Sequence, residues 1–126
     1  MWRSQGSTKA SGGAAESAAL AHLERQGLRL VTRNYRVARG PSARGGEIDL
    51  VMRDRDGTLV FVEVRARRHA GHGSAADSVS PGKQRALRFA AQHYLQRLVP
   101  TPPCRFDVVA IDGERLTWIR AAFDGT

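Results

Sequence analysis

The sequence predicts a mixed α/β protein whose elements follow the order αβββαββ. Three observations lead to this prediction. Residues 13–26 and 80–98 repeat apolar residues at helical spacing. Short runs rich in β-branched residues lie between and after these two segments. At the centre of the chain, the turn sequence DRDG joins two of the runs into a hairpin.

Each predicted element carries its own start and stop signals. Gly27 ends the Ala-rich first helix, and residues 28–37 predict a strand. The second helix begins where Ser80 can cap it and Pro81 can take the first position, and it ends before Pro100. Residues 104–111 and 115–123 predict the last two strands. Residues 1–12 are polar and predict a flexible tail, which leaves 13–126 as one domain.

The central hairpin predicts which residues face each other. Gly57 supplies the left-handed residue of a three-residue turn, so that Asp54 lies opposite Thr58. The ladder then pairs Met52 with Val60, Leu50 with Val62, Ile48 with Val64, and Asp49 with Glu63. Alternation places six apolar side chains on one face. The other face is apolar near the turn, at Val51 and Phe61, and charged toward its open end, at Glu47, Asp49, Glu63 and Arg65.

The two opposed acids, Asp49 and Glu63, are the central feature of this hairpin. Directly opposed residues have Cβ atoms about 4.5–5.5 Å apart, so the two carboxylates can share one divalent cation. The alternative is a pair of ordinary hairpin charges neutralised by Arg65 and other arginines. The apolar strands around them favour a site, because a carboxylate in such a strand is costly unless it is paired or bound to metal.

Composition restricts the partners. The net charge is +8 and the pI is near 11.2, which favours a polyanion such as nucleic acid. Of the 20 basic residues all but two are arginines, a skew that a GC-rich coding sequence alone can produce. No apolar run approaches a membrane span, and membrane association is not expected. Cys104 is the only cysteine, which excludes an intrachain disulfide and fits a cytoplasmic protein.

Other polar residues are further candidates. Glu16 lies on the inward stripe of the first helix, where it is either a site residue or an exposed acid that complements the helix dipole. Lys83, near the start of the second helix, is either a site residue or a surface lysine. A polar loop follows the hairpin, and it offers phosphate contacts or simple loop polarity through Arg67, Arg68, His69 and His72.

Taken together, several blocks of the chain resemble the YraN family of small predicted endonucleases. The blocks are Glu16 in a helix, RNYR at 33–36, GEIDLV at 46–51, FVEVRAR at 61–67, Lys83, RFDVV at 105–109 and AAF at 121–123. The resemblance implies a restriction-endonuclease-like fold: an αβββαβ core with a central mixed sheet flanked by helices, plus a C-terminal strand. It also implies a likeness to Holliday-junction resolvases, some of which pair two active sites in a homodimer.

The resemblance implies roles for individual residues. The loosely defined signature of this superfamily is an Asp, then Glu or Asp, one residue, and Lys on neighbouring strands. Asp49 and Glu63 would be the two signature acids, and with the carbonyl of Val64 they would hold Mg²⁺ or Mn²⁺. Glu16 would be a further metal-binding acid on the helix. Arg65 occupies the position of the signature lysine; an arginine stays charged at any working pH, so Lys83 is the candidate to replace that lysine. The expected DNA-contacting residues are Arg36, Arg44, Arg67, Arg68, Lys83 and Arg85.

The function that the resemblance implies is metal-dependent cleavage of DNA phosphodiester bonds. The choice of substrate would rest on DNA shape, with branched DNA as a candidate, and the sequence leaves the preferred structure open. The main alternative is a nucleic-acid-binding protein of the same fold that does not cut, which Arg65 favours. There are two further hypotheses. One is an RNA-binding protein, and the other is a purely structural protein whose basic charge reflects only genome composition.

Overall fold

The computed structural model describes residues 7–40, 45–67 and 79–125 of the chain. The elements follow the predicted order αβββαββ. Their bounds are α1 Ser7–Arg25, β1 Arg29–Val37, β2 Gly46–Arg53, β3 Leu59–Arg67, α2 Pro81–Leu95, β4 Cys104–Asp112 and β5 Arg115–Phe123. Helix α1 begins six residues before the predicted start at Gly13, within the segment predicted to be a flexible tail.

The five strands form one mixed sheet in the order β1-β2-β3-β4-β5. Neighbouring strands are antiparallel except β3 and β4, which are parallel and are connected through α2. A parallel pair needs such a crossover, because a tight turn can join only antiparallel strands. The predicted α/β class, the mixed sheet and the C-terminal strand are therefore confirmed.

Each face of the sheet is covered by one helix. Helix α2 packs through Leu87, Ala90, Ala91 and Tyr94 on a cluster that includes Val51 and Phe61. Helix α1 packs through Ala19 and Leu23 on the opposite face. The sheet residues of that second cluster are Leu50, Met52, Val60, Val62 and Val109, with Val64 partly buried against it. Strand β3 is buried on both faces, which explains its nearly continuous apolar sequence.

The hairpin turn has the predicted form. Gly57 adopts φ 92°, and the backbone of Asp54 donates to the carbonyl of Thr58 at 2.9 Å. The register pairs Met52 with Val60 and Leu50 with Val62, as predicted.

The prediction fails at the open end of the hairpin. The antiparallel register of β2 and β3 runs from Arg53↔Leu59 only as far as Leu50↔Val62, so Ile48 and Val64 are not ladder partners. Ile48 also lies on the α2 face, not with Leu50 on the α1 face. Strict alternation is broken at Asp49, between these two residues. The ladder ends there, next to the place where Asp49 and Glu63 interact.

Helix α2 approaches the start of β2 closely because Gly46 has no side chain. A Cβ at this position would collide with the backbone carbonyl of Ala86 and lie 3.1 Å from the Cβ of Ala90. Ser80 caps the helix, and its side chain accepts a hydrogen bond from the backbone of Lys83 at 3.1 Å. These contacts hold the first turn of α2, and with it Lys83, over the end of the hairpin.

Candidate functional site

Asp49 lies where β2 leaves the ladder, and its carboxylate takes the place of a missing strand partner. Oδ2 of Asp49 accepts a hydrogen bond from the backbone N–H of Val64 at 2.8 Å. A side chain thus satisfies a β3 amide where β2 has turned away. This hydrogen bond holds the carboxylate beside Glu63, the residue of β3 that precedes Val64.

Glu63 is a buried acid: only 2% of it is exposed to solvent. Its Oε2 lies 3.5 Å from Nζ of Lys83 and 3.5 Å from Nη1 of Arg65. Its Oε1 is buried and receives no hydrogen bond from any described residue. One oxygen therefore faces two cations, and the other lacks the partner that a buried carboxylate needs.

The two acids are close enough to act as one titrating unit. Burial, and next the negative charge of Asp49, raise the pKa of Glu63 to about 8. Burial also raises the pKa of Asp49, against the hydrogen bond from Val64. A proton shared between the carboxyl groups favours ionised Asp49 and protonated Glu63. The predicted meeting of these acids is correct, although the ladder expected to align them ends one residue earlier.

Glu16 approaches the same region from α1 on the other face of the sheet. Its side chain is 16% exposed, and Oε1 lies 3.6 Å from Nη2 of Arg33. Burial, followed by the charge of Asp49, raises the pKa of Glu16. No three Asp, Glu, His or Cys side chains among the described residues are grouped tightly enough to ligate one ion. Glu16 is therefore not part of a tight group with Asp49 and Glu63, although the charge of Asp49 affects its pKa.

A basic cleft of about 820 Å³ adjoins the acid pair. Lys83 and Arg65 belong both to the cleft wall and to the surroundings of Glu63. The other basic residues of the wall are Arg36, Arg39 and Arg85. Among the described residues of the wall, Glu47 is the only acid, and it accepts a hydrogen bond from Arg36 at 3.2 Å. The guanidinium of Arg39 lies over the ring of Phe89, 4.6 Å from its centroid.

Most of the predicted site residues meet at this end of the sheet. Asp49, Glu63, Arg65 and Lys83 are brought together, and Arg36 and Arg85 line the adjoining cleft. Arg67 is the last residue of β3. Arg44, Arg68, His69 and His72 lie outside the described residues. Their predicted contacts with DNA remain predictions.

The sequence reading missed two residues that organise the sheet. Asn34, inside the RNYR block, has a positive φ of 54° in the middle of β1. Asp107 is fully buried and accepts from Nε of Arg105, Nε1 of Trp118 and the backbone of Ala121 at 2.9–3.2 Å. Asn is one of the few residues that tolerate the left-handed region, and that preference is the signal that could have marked Asn34.

Comparison with known proteins places this chain among relatives. The sequence profile described as Uncharacterised protein family UPF0102 matches residues 15–111. The chain belongs to the UPF0102 family. The predicted YraN membership is thereby confirmed.

Several UPF0102 proteins resemble the chain over nearly its whole length. The one from Methylibium petroleiphilum is 64% identical over 119 residues, which cover 94% of this chain and 98% of that protein. Those from Acidovorax sp. and Cupriavidus necator are 58% and 59% identical over 117 residues, covering 93% of this chain and 86% and 85% of the relatives. No solved structure matches the chain significantly.

Proposed function

We propose that this UPF0102 protein is a metal-dependent endonuclease that hydrolyses DNA phosphodiester bonds and selects branched DNA. The observation that carries the proposal is Glu63, a buried carboxylate beside Asp49 with one oxygen lacking any described donor. Two cationic side chains at its other oxygen connect it to a basic cleft. A site with both a cation-binding acid pair and a phosphate-binding wall suits phosphodiester chemistry.

The acid pair fits a hard divalent cation. Carboxylate and carbonyl oxygens are the ligands that Mg²⁺ and Mn²⁺ prefer, and Asp49, Glu63 and the carbonyl of Val64 would hold the ion. The ion would give Oε1 of Glu63 a positively charged partner and would replace the proton that the two acids share. When bound, it would acidify a water molecule and stabilise negative charge on the phosphate. Glu16 would act from outside this set, through water.

Lys83 and Arg65 would have different tasks, although both lie 3.5 Å from the same oxygen of Glu63. Arg65 stays charged at working pH, so it can stabilise charge that develops on the phosphate but cannot accept a proton. Lys83 can exchange a proton, and a lysine adjusts its pKa more readily than an arginine when its surroundings change. Lys83 would thus supply from α2 what the signature lysine supplies from β3.

The cleft would bind the phosphate backbone next to the acid pair. In the part of the wall that the structure describes, five cations face one acid, Glu47; the cations are Arg36, Arg39, Arg65, Lys83 and Arg85. Contacts between arginine and phosphate position a nucleic acid without reading its base sequence. Selection would therefore depend on the shape of the DNA, which is the reason to expect branched substrates.

The test is cleavage of branched, flapped and linear DNA with Mg²⁺ or Mn²⁺. Asp49→Asn and Glu63→Gln keep the shapes of the side chains but remove their charge. We expect both variants to lose cleavage while retaining DNA binding. Glu114→Gln is the matched control, because Glu114 is an exposed acid at the β4–β5 turn outside the cleft wall. Cleavage that persists in both site variants, or that needs no metal, would overturn the proposal.

The alternative is a protein of the same fold that binds nucleic acid without cutting it. Arg65 favours this alternative, because it replaces a residue that can exchange protons with one that cannot. Binding of branched DNA with no cleavage in any divalent cation, and with equal affinity in Asp49→Asn, would select it. RNA that competes much better than DNA at matched salt would instead favour an RNA-binding protein.

A further inference from the structure

Asn34 adopts a backbone conformation that is rare for its position. It lies within β1 and has φ 54°, in the left-handed region that is sterically costly for residues other than Gly. Asn bears this cost more easily than most residues because its short polar side chain can form local hydrogen bonds. A strand interior normally contains no such residue.

At Asn34, the side chains of β1 switch from one face of the sheet to the other. In a regular strand Arg33 and Tyr35 would point to the same side. Here Arg33 contacts Glu16 of α1, whereas Tyr35 packs in the cluster under α2. The β1–β2 register pairs Arg33 with Leu50 and Tyr35 with Ile48, so that Asn34 lies opposite Asp49.

Strand β2 makes the same change opposite Asn34. Leu50 belongs to the α1 cluster and Ile48 to the α2 cluster, with Asp49 between them. This exchange of faces occurs where Asp49 leaves the ladder and its carboxylate reaches the backbone of Val64. The left-handed residue of one strand and the displaced acid of the other are thus parts of a single local distortion.

The side chain of Asn34 contacts the third acid. With the amide oriented so that Nδ2 faces α1, it lies 3.2 Å from both carboxylate oxygens of Glu16. This orientation is required because the carboxylate oxygens of Glu16 can only accept hydrogen bonds, and Nδ2 is the donor of the Asn34 amide. Arg33 adds a weaker contact at 3.6 Å. One residue therefore contacts Glu16 through its side chain and has its backbone opposite Asp49.

We propose that Asn34 is a positioning residue of the acidic site: its left-handed backbone frees Asp49 from the ladder, and its amide holds the Glu16 carboxylate toward the same region. The role in metal binding rests on the proposed function. The contact between Asn34 and Glu16 does not, and it is tested separately. The competing explanation is that Asn34 only fills a left-handed position that glycine would fill equally well.

Two substitutions separate the backbone role from the amide role. Asn34→Gly keeps the left-handed conformation and removes the amide, whereas Asn34→Ala removes the amide and strains the backbone. We expect Asn34→Gly to bind Mn²⁺ about tenfold more weakly, in line with the loss of an outer partner of a metal site. Glu16→Gln should weaken Mn²⁺ binding by a similar factor. The variant with both substitutions should bind Mn²⁺ only slightly more weakly than either single variant. Asn34→Ala should bind more weakly still and melt a few degrees lower than Asn34→Gly.

Ala121→Gly is the matched control. Ala121 also has a positive φ, 50°, but lies in β5, and its backbone donates to Asp107. The substitution should raise Tm and leave Mn²⁺ affinity unchanged, because it relieves a left-handed residue outside the acidic site.

The contact itself is measured without metal, by a thermal unfolding cycle of wild type, Asn34→Gly, Glu16→Gln and the double variant. Tm changes that are not additive would support the contact, and additive changes would overturn it. Mn²⁺ affinity unchanged in Asn34→Gly, in a wild type that binds Mn²⁺, would overturn the role in the site. A wild type that binds no Mn²⁺ contradicts the proposed function and the metal-positioning role together, while the cycle still decides the contact.

Discussion

At the scale of single residues, Glu63 determines what this site can do. It is buried, it faces Asp49, and its Oε1 has no donor among the described residues. Near neutral pH and without metal, such a carboxyl group retains a proton. A divalent cation would have to displace that proton, so metal binding and proton release are coupled.

This protonation predicts how stability depends on pH in metal-free protein. The folded pKa of Glu63 is about 8, above the ordinary value of 4.5 for a glutamate, so the folded state holds more protons between these pH values. The free energy of unfolding should fall as pH rises from about 5 to 8, by at most about 1.4 kcal/mol per pH unit for one proton. Denaturant unfolding across this range measures the slope, and Glu63→Gln should flatten it.

Binding of Mn²⁺ tests the protonation of Glu63 in the opposite direction, because the cation favours the ionised form. Because the cation binds the ionised acids, added Mn²⁺ should raise Tm more at pH 8 than at pH 6. A metal-free stability that rises toward pH 8 in wild type, or a slope unchanged in Glu63→Gln, would contradict the shared-proton description of the pair.

The two cations beside Glu63 predict an asymmetry in activity. Lys83→Arg keeps the charge but removes the ability to exchange a proton, so we expect a loss of about 10²–10⁴ in kcat with DNA binding retained. Arg65→Lys should keep or increase cleavage, since it restores a residue that can exchange a proton. Single-turnover cleavage at saturating enzyme measures both. Full activity in Lys83→Arg would mean that charge alone suffices at this position.

At the scale of elements, the site depends on how closely α2 lies against the hairpin. Gly46 permits that approach, because a side chain there would meet the backbone of Ala86. The N-cap at Ser80 sets the first turn of the helix, which carries Lys83. The distance between Lys83 and Glu63 is thus determined by packing several residues away from either of them.

Gly46→Ala should accordingly push α2 outward. We expect a loss of about 1–3 kcal/mol in the free energy of unfolding, because the contacted atom is backbone and cannot rotate away. The cleavage rate should fall by more than the loss of folded protein explains, because Lys83 moves away from Glu63 with the helix. Gly13→Ala is the matched control: nothing lies within 4 Å of the new Cβ, and it should stabilise α1 by about 0.5–1 kcal/mol. Equal melting temperatures for Gly46→Ala and wild type would refute this account of the packing.

At the scale of the whole molecule, net charge and fold together predict salt-dependent binding. The net charge of the chain is +8, and several of its basic residues line the cleft beside the acid pair. None of the described helices is long and apolar enough to cross a membrane.

DNA binding should weaken steeply with salt. Each phosphate contact contributes about −0.9 to the slope of log K against log salt for duplex DNA. Arg36→Gln and Arg85→Gln should each reduce the magnitude of that slope by about 1, whereas Arg115→Gln, which lies outside the cleft wall, should not change it. Fluorescence anisotropy with branched DNA measures the slopes. An equal reduction in Arg115→Gln would show that binding follows overall charge and not the cleft.

The sequence alone determined the order of elements, the hairpin register near the turn, the apolar stripe of α2 and the family. These features are local: Gly57 sets the turn, Ser80 and Pro81 start the helix, and apolar spacing marks its inner face. Asp49 and Glu63 were also predictable as neighbours, because a short turn fixes what lies across a ladder.

Only the tertiary structure decided how the acids meet. The ladder ends at Leu50↔Val62, Ile48 turns to the α2 face, and a left-handed Asn34 in a third strand accompanies the change. Alternation assumes a regular strand, and nothing within β2 itself marks the break. The approach of α2 over Gly46 and the position of Lys83 depend on a crossover between parallel strands, and such contacts between distant segments are not encoded in local spacing.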